Sequence, residues 1–199
     1  MIRNKILIRN ILIVTAVLVA VTSIAFAALS QTLNISANRV TQSAQTWNIG
    51  FVTGTVNGVL TATDPRMATC GAATVTSDTI SGINVILENI GDKCAYTFNL
   101  KNNGTIGGKL TNLVVTKPTS TSCSTSGSTM VCGNITYKLR YDTATSNTLV
   151  ALNDTIAPKS GSTPTTKIVV LTAEYTGSSL ATDDFQQKGF AYTLTYSQN

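Results

Sequence analysis

The chain has 199 residues, of which 43% are hydrophobic and only 12% are charged, and it contains no histidine. The absence of histidine excludes the usual hydrolytic triads and histidine-based metal sites. Three of the fourteen basic residues and none of the nine acidic residues fall within the first 27 positions, so the remainder has a net charge of only about +2, too small to indicate nucleic-acid binding.

The N-terminus has the features of an export signal. Three basic residues precede an apolar run from Ile11 to Leu29, and Ala25 and Ala27 form the small-x-small pattern that a signal peptidase recognises. We expect residues 1–27 to be a signal peptide that is cut before Ala28. The run is also long enough to cross a bilayer, so an uncleaved membrane anchor through residues 1–29 is the alternative. Both interpretations place the body of the chain outside the cell, secreted or on the cell surface.

The segment that follows, residues 28–45, is predicted to be an N-terminal arm that contains a β-strand. Leu33, Ile35 and Ala37 alternate with polar residues, which is the pattern of a strand with one apolar face. Leu29, at the start of the arm, is a further apolar residue of the predicted donor segment. The arm therefore has the character of a strand that needs a sheet to pair with.

Residues 46–199 are predicted to form a single β-sandwich domain. Short alternating segments separated by Asn, Gly, Ser and Pro residues predict about eight strands when the arm is included. Strands at this spacing without helices between them indicate a sandwich. The apolar members are Trp47, Ile49 and Phe51; Ile83, Val85 and Leu87; Tyr96, Phe98 and Leu100; Leu113 and Val115; Ile135, Tyr137, Leu139 and Tyr141; Ile168 to Tyr175; and Phe190, Tyr192, Leu194 and Tyr196.

Four cysteines, Cys70, Cys94, Cys123 and Cys132, are present in a chain that is expected to be exported. An even number in that setting favours disulfides, and four cysteines allow three pairings. We favour Cys123–Cys132, which closes a short polar loop, together with Cys70–Cys94. Without a Cys-x-x-Cys pair or any histidine, we expect no metal site, and no sequence motif indicates a cofactor or a catalytic residue.

Two further groups of residues have more than one interpretation. Glu174 could promote a Lys–Asn isopeptide link, but from the alternation we expect it to face solvent with Lys167 nearby. Four tyrosines at strand spacing are compatible with a sugar-binding face, although packing in the core or across strands is the commoner role for such residues. These tyrosines are Tyr137, Tyr141, Tyr192 and Tyr196.

Four segments together carry a resemblance to a known family. They are the arm Ala28–Ala37, the segment Trp47–Phe51, the strand and Asn-Gly turn of Tyr96–Thr105, and the turn and strand of Ile156–Val170. Behind an export signal, this order resembles the TasA/camelysin-like family of exported bacterial β-sandwich proteins, which often form matrix or surface fibres. The resemblance implies an immunoglobulin-like or jelly-roll sandwich. It also implies that an N-terminal strand of one subunit completes the sheet of the next.

Strand donation of this kind has a simple physical basis. An open sheet edge carries unpaired backbone N–H and C=O groups, and a free alternating strand can satisfy them. A contact of this type is head-to-tail and does not close, so it produces filaments. The arm could equally pair within its own domain. We therefore expect a non-enzymatic structural protein that self-associates into a fibre, and the alternative is a membrane-anchored surface module that binds glycan or protein.

Overall fold

The computed structural model describes residues 45–62, 68–118, 123–142, 148–178 and 186–198. In this part of the chain all regular structure is β, and every strand pairing is antiparallel. The fourteen strands are β1 (Ile49–Phe51), β2 (Gly54–Val56), β3 (Val59–Thr61), β4 (Thr69–Cys70), β5 (Ala73–Val75), β6 (Thr79–Ile86), β7 (Lys93–Asn102), β8 (Gly108–Thr116), β9 (Cys123–Ser126), β10 (Thr129–Cys132), β11 (Ile135–Tyr141), β12 (Thr155–Ile156), β13 (Thr165–Tyr175) and β14 (Gln186–Gln198).

The strands form two seven-stranded sheets. Sheet A has the order β1-β7-β13-β11-β10-β9, with β3 also paired to β7. Sheet B has the order β12-β8-β14-β6-β5-β2, with β4 also paired to β6. The all-β class that the alternation predicts is confirmed, and two antiparallel sheets around a common core are consistent with a sandwich.

The core follows directly from the alternation of the longer strands. Along β7, Tyr96, Phe98 and Leu100 are buried, while Thr97 and Asn99 between them are exposed. Strand β13 pairs with β7 on one side and β11 on the other, and its side chains are buried on both faces from residue 169 to 173. Aromatic side chains from the two sheets meet in the core, where the rings of Tyr137 and Phe190 lie 4.5 Å apart.

One flank of the two sheets is closed by the segment from residue 49 to 61. Strand β1 pairs with β7 in sheet A, β2 pairs with β5 in sheet B, and β3 returns to β7 in sheet A. The Phe51 N–H also donates to the Ser77 carbonyl at 2.8 Å, which links β1 to a turn of sheet B. A single stretch of chain thus joins the edges of both sheets.

The segment from residue 148 to 156 joins the two sheets at the opposite flank, but it covers a shorter length of them. The Val150 N–H donates to the Leu139 carbonyl of sheet A at 3.0 Å. Strand β12 then pairs with β8 of sheet B at Gly108 and Lys109 only. Leu110 exchanges hydrogen bonds with the neighbouring loop, since its N–H donates to the Asp154 carbonyl at 2.8 Å. Beyond Leu110, this segment no longer follows β8.

One expectation about the body of the chain is wrong. Glu174 does not lie near Lys167. The residue opposite it on the neighbouring strand β7 is Lys93. Seven residues of extended strand cover about 23 Å, and an odd separation puts the two side chains on opposite faces. Glu174 is half-buried, whereas the Lys167 ammonium lies over the Tyr141 ring.

Candidate assembly edge

The described chain enters the fold at one end of the sandwich, where it is fixed to the turn after β7. The Thr105 N–H donates to the Thr46 carbonyl at 2.9 Å, and the Thr46 N–H donates to the Thr105 hydroxyl at 2.8 Å. The Trp47 side chain lies against Gly108 so closely that a Cβ on this glycine would be 3.0 Å from the indole ring. The first described residues, 45 to 47, therefore lie at the end of the sandwich where β8 begins.

Strand β8 of sheet B has an open edge over part of its length. Its inner side pairs with β14 along its whole length, with Leu113 opposite Leu194 and Val115 opposite Tyr192. Its outer side is covered only as far as Leu110. From Thr111 to Thr116, no strand within the described ranges pairs with the outer side. We call this stretch the β8 edge.

The side chains of the β8 edge leave the core incomplete at this flank. Leu113 and Val115 pack against the core but are only half-buried, and Val114 on the other face is 44% exposed. The stretch Thr-Asn-Leu-Val-Val-Thr itself contains no charged residue and no proline, and Lys117 and Pro118 come directly after it. Natural edge strands are usually protected from further pairing by such residues, so the β8 edge has the properties of a template for an additional strand.

The cysteines pair as the sequence favours. Cys123 and Cys132 are directly opposite each other on β9 and β10, with their Cα atoms 4.3 Å apart. Cys70 and Cys94 are bonded with their Cα atoms 5.7 Å apart. Because Cys70 lies on β4 of sheet B and Cys94 on β7 of sheet A, this second disulfide joins the two sheets. No free cysteine occurs in the described part of the chain.

We predict that the inter-sheet disulfide is the more important of the two for stability. Replacing Cys70 and Cys94 together with alanine should lower the free energy of unfolding by about 3–4 kcal/mol, because it releases a loop of 24 residues. The matched change at Cys123 and Cys132 frees a loop of only 9 residues between adjacent strands, and should cost about 2–3 kcal/mol. Urea unfolding of the two double variants measures the difference, and equal losses would contradict the ranking.

The four tyrosines do not form a common exposed face. Tyr137 and Tyr192 are completely buried, and burial raises the pKa of both side chains. Tyr141 is also buried, and its hydroxyl lies 3.4 Å from that of the half-buried Tyr196. Their main role is therefore core packing, which is the commoner of the two interpretations offered by the sequence.

Asn102 is a structural residue that the sequence analysis did not single out. It is the last residue of β7, and its polar side chain is completely buried. Its side-chain amide donates to the carbonyls of Ile106 and Ala157 at 2.8 and 3.0 Å, and its side-chain oxygen accepts from the Gly104 N–H at 2.8 Å. The sequence does contain a sign of this role. Asn102 is a polar residue at the position where the alternation of Phe98 and Leu100 predicts the next core-facing side chain.

Several predicted sites lie outside the described residues. They are the cleavage-site residues Ala25, Ala27 and Ala28 and the arm residues Leu29, Leu33, Ile35 and Ala37. Within the described ranges, no cluster of three or more potential metal-binding side chains occurs. The same part of the chain has no helix with the length and hydropathy needed to span a bilayer.

Comparison with known proteins finds no matching family model, no similar curated protein and no similar solved structure. The case for function therefore depends on the chain itself.

Proposed function

We propose that this protein is an exported structural subunit of a cell-surface or extracellular-matrix fibre, assembled by donation of the N-terminal arm to the β8 edge of a neighbouring copy. The observation that carries the proposal is this edge: Thr111–Thr116 is uncharged, has no strand partner on its outer side among the described residues, and leaves the core-facing Leu113 and Val115 half-buried. We take the fold to be of the immunoglobulin-like or jelly-roll type, preceded by a signal or anchor helix, as in the TasA/camelysin-like family.

The arm matches the β8 edge in length and in polarity. Its alternating stretch from Leu33 to Ala37 has five residues, and the edge has six. A strand added beside β8 would direct its apolar side chains toward Leu113 and Val115, because side chains at paired positions lie on the same face of a sheet. Leu33 and Ile35 would thereby complete the core, each contributing about 1.5–3 kcal/mol when fully buried.

The first described residues and the far end of the β8 edge lie at opposite ends of β8. The chain enters the fold beside Gly108, at the beginning of β8, whereas the β8 edge extends toward Thr116 at the other end of the strand. These two ends are separated by about 27 Å of extended chain. A contact that joins one end of a subunit to the flank of the next is heterologous, and such contacts produce open filaments.

Export is supported by the cysteines as well as by the leader. Two disulfides and no free thiol in the described residues fit an oxidising compartment. We predict that the exported protein starts at Ala28. Intact-mass measurement tests this start, and recovery of a membrane-bound form that retains Met1 would support the anchor instead.

The β8 edge can be tested by placing a charge on its core-facing side. In the Val115→Lys variant, the new side chain can reach water through the open flank of a single subunit. An added strand would bury the ammonium group, which is unfavourable without a partner. We expect filament formation to be abolished while the thermal stability of the subunit changes little.

The Val114→Lys variant is the matched control, because it adds the same charge to the neighbouring residue on the exposed face. It should assemble nearly as well as the native protein. Equal assembly by the two variants would show that the β8 edge is not the acceptor.

Negative-stain microscopy of the purified exported protein tests the proposed function itself. We expect unbranched filaments that have the width of one subunit. The alternative, a membrane-anchored module that binds glycan or protein, predicts separate particles at every concentration, and that result would overturn the fibre proposal.

A further inference from the structure

A cleft of about 420 Å³, lined by both apolar surface and polar groups, lies at the end of β11, next to the beginning of β13. Its volume falls within the range that small-molecule sites occupy. Backbone hydrogen bonds fix its walls: the Asp142 N–H donates to the Ile168 carbonyl at 3.0 Å, and the Tyr141 N–H donates to the Thr148 carbonyl at 2.8 Å. The residues used in the following argument are Tyr141, Asp142, Asp154, Thr166, Lys167 and Ile168, and none of them lies on β8.

The inner part of the cleft is built around Tyr141. The Lys167 ammonium lies 4.6 Å from the centre of its ring, and the Tyr196 hydroxyl is 3.4 Å from its hydroxyl. Burial raises the pKa of Tyr141 far above its ordinary value, and the nearby Tyr196 and Asp154 raise it further. The phenol is therefore neutral at physiological pH, and its hydroxyl faces Tyr196 and Asp154.

The cleft contains two carboxylates, Asp154 and Asp142, of which the first is fixed by a backbone hydrogen bond. One oxygen of Asp154 accepts from the Ala151 N–H at 2.7 Å, so this side chain is fixed by its own loop. Asp142 is exposed at the opening of the cleft. A carboxylate accepts hydrogen bonds only, whereas the Lys167 ammonium donates only. The cleft thus presents acceptors, a donor and the hydroxyl of Thr166 within one small volume.

This mixture limits the class of ligand. Two carboxylates repel an anion, and the Lys167 ammonium repels a cation. A neutral molecule with many hydroxyl groups can use the acceptors and the donor at the same time. Ile168, which is 41% exposed, adds an apolar wall against which C–H groups can pack. We propose that this cleft binds a neutral saccharide, an activity separate from fibre assembly.

Isothermal titration calorimetry of the exported protein tests the proposal, with cellotetraose, maltotetraose and chitotetraose as probes. We expect saturable binding of at least one of them with a Kd near the millimolar range, about −4 kcal/mol. The Asp142→Ala and Lys167→Ala variants should each bind about tenfold more weakly, because a hydrogen bond to a charged group is lost. Lys138→Ala removes the same charge from an exposed position on β11 and is the control that should leave binding unchanged.

Three results would overturn the proposal. They are no heat of binding with any of the three sugars up to about 20 mM, equal affinity in the two cleft variants and the native protein, or loss of binding in the Lys138→Ala control. Filament formation is measured separately in the same samples by light scattering. Failure of the saccharide site is therefore distinguishable from failure of the fibre proposal.

Discussion

Replacing Asn102 with alanine should lower the free energy of unfolding by about 2–4 kcal/mol, among the largest effects expected from a single substitution in this chain. Its side chain makes three hydrogen bonds to the backbone, to Gly104, Ile106 and Ala157, and it is completely buried. Truncation leaves those backbone groups without their partner. Two of the three belong to the turn that is hydrogen-bonded to Thr46, so the same side chain also supports the first described residues of the chain.

Asn99 offers a matched control for this prediction. It lies three residues earlier on the same strand, but it is exposed. Asn99→Ala should change stability by no more than about 0.5 kcal/mol. Thermal unfolding of the two variants is the measurement, and an Asn102→Ala protein that melts within about 2 °C of the control would show that the hydrogen bonds of Asn102 contribute little.

The second large effect concerns the arm. The Leu33→Asp, Ile35→Asp double variant should remain folded but fail to assemble. The change removes two apolar contacts and would place two carboxylates in the acceptor groove, where an unpaired charge costs more than the lost contact. The loss of about 3 kcal/mol or more corresponds to a reduction of at least about 100-fold in the association constant. Sedimentation velocity, together with thermal unfolding, distinguishes the possible outcomes.

The same variant separates the donated arm from an arm that pairs within its own subunit. If the arm belongs to its own domain, the two aspartates should unfold the protein or greatly reduce its melting temperature. Filaments of normal length from the folded double variant would refute strand donation altogether.

The sequence predicts the long strands well, because their burial has a period of two. In β7 and β11, every second residue faces the core, and the apolar pattern shows this without a structure. Seven strands of two to four residues, β2, β3, β4, β5, β9, β10 and β12, were not predicted. A period of two cannot be recognised in so few residues, and most of these strands exist only because a neighbouring strand offers a partner.

The candidate sites depend on neighbours that are distant in sequence. Alternation indicates a strand at Leu113 and Val115, but only the sheet order shows that its outer side has no partner in the described structure. The cleft brings together Lys167 from β13 with Asp142 and Asp154 from two loops, and nothing in their spacing suggests a common site. The disulfide pairing was easier to predict from the sequence, because the short loop between Cys123 and Cys132 favours a bond between these two cysteines.

A mixing experiment tests the central claim of strand donation most directly. The Leu33→Asp, Ile35→Asp subunit keeps an intact β8 edge, and the Val115→Lys subunit keeps an intact arm, so neither should assemble alone. Mixed in equal amounts, they should form a 1:1 heterodimer by light scattering coupled to size-exclusion chromatography, because one arm and one edge remain to be paired. A mixture that contains only monomers, or one that forms filaments, would contradict donation of the arm to the β8 edge.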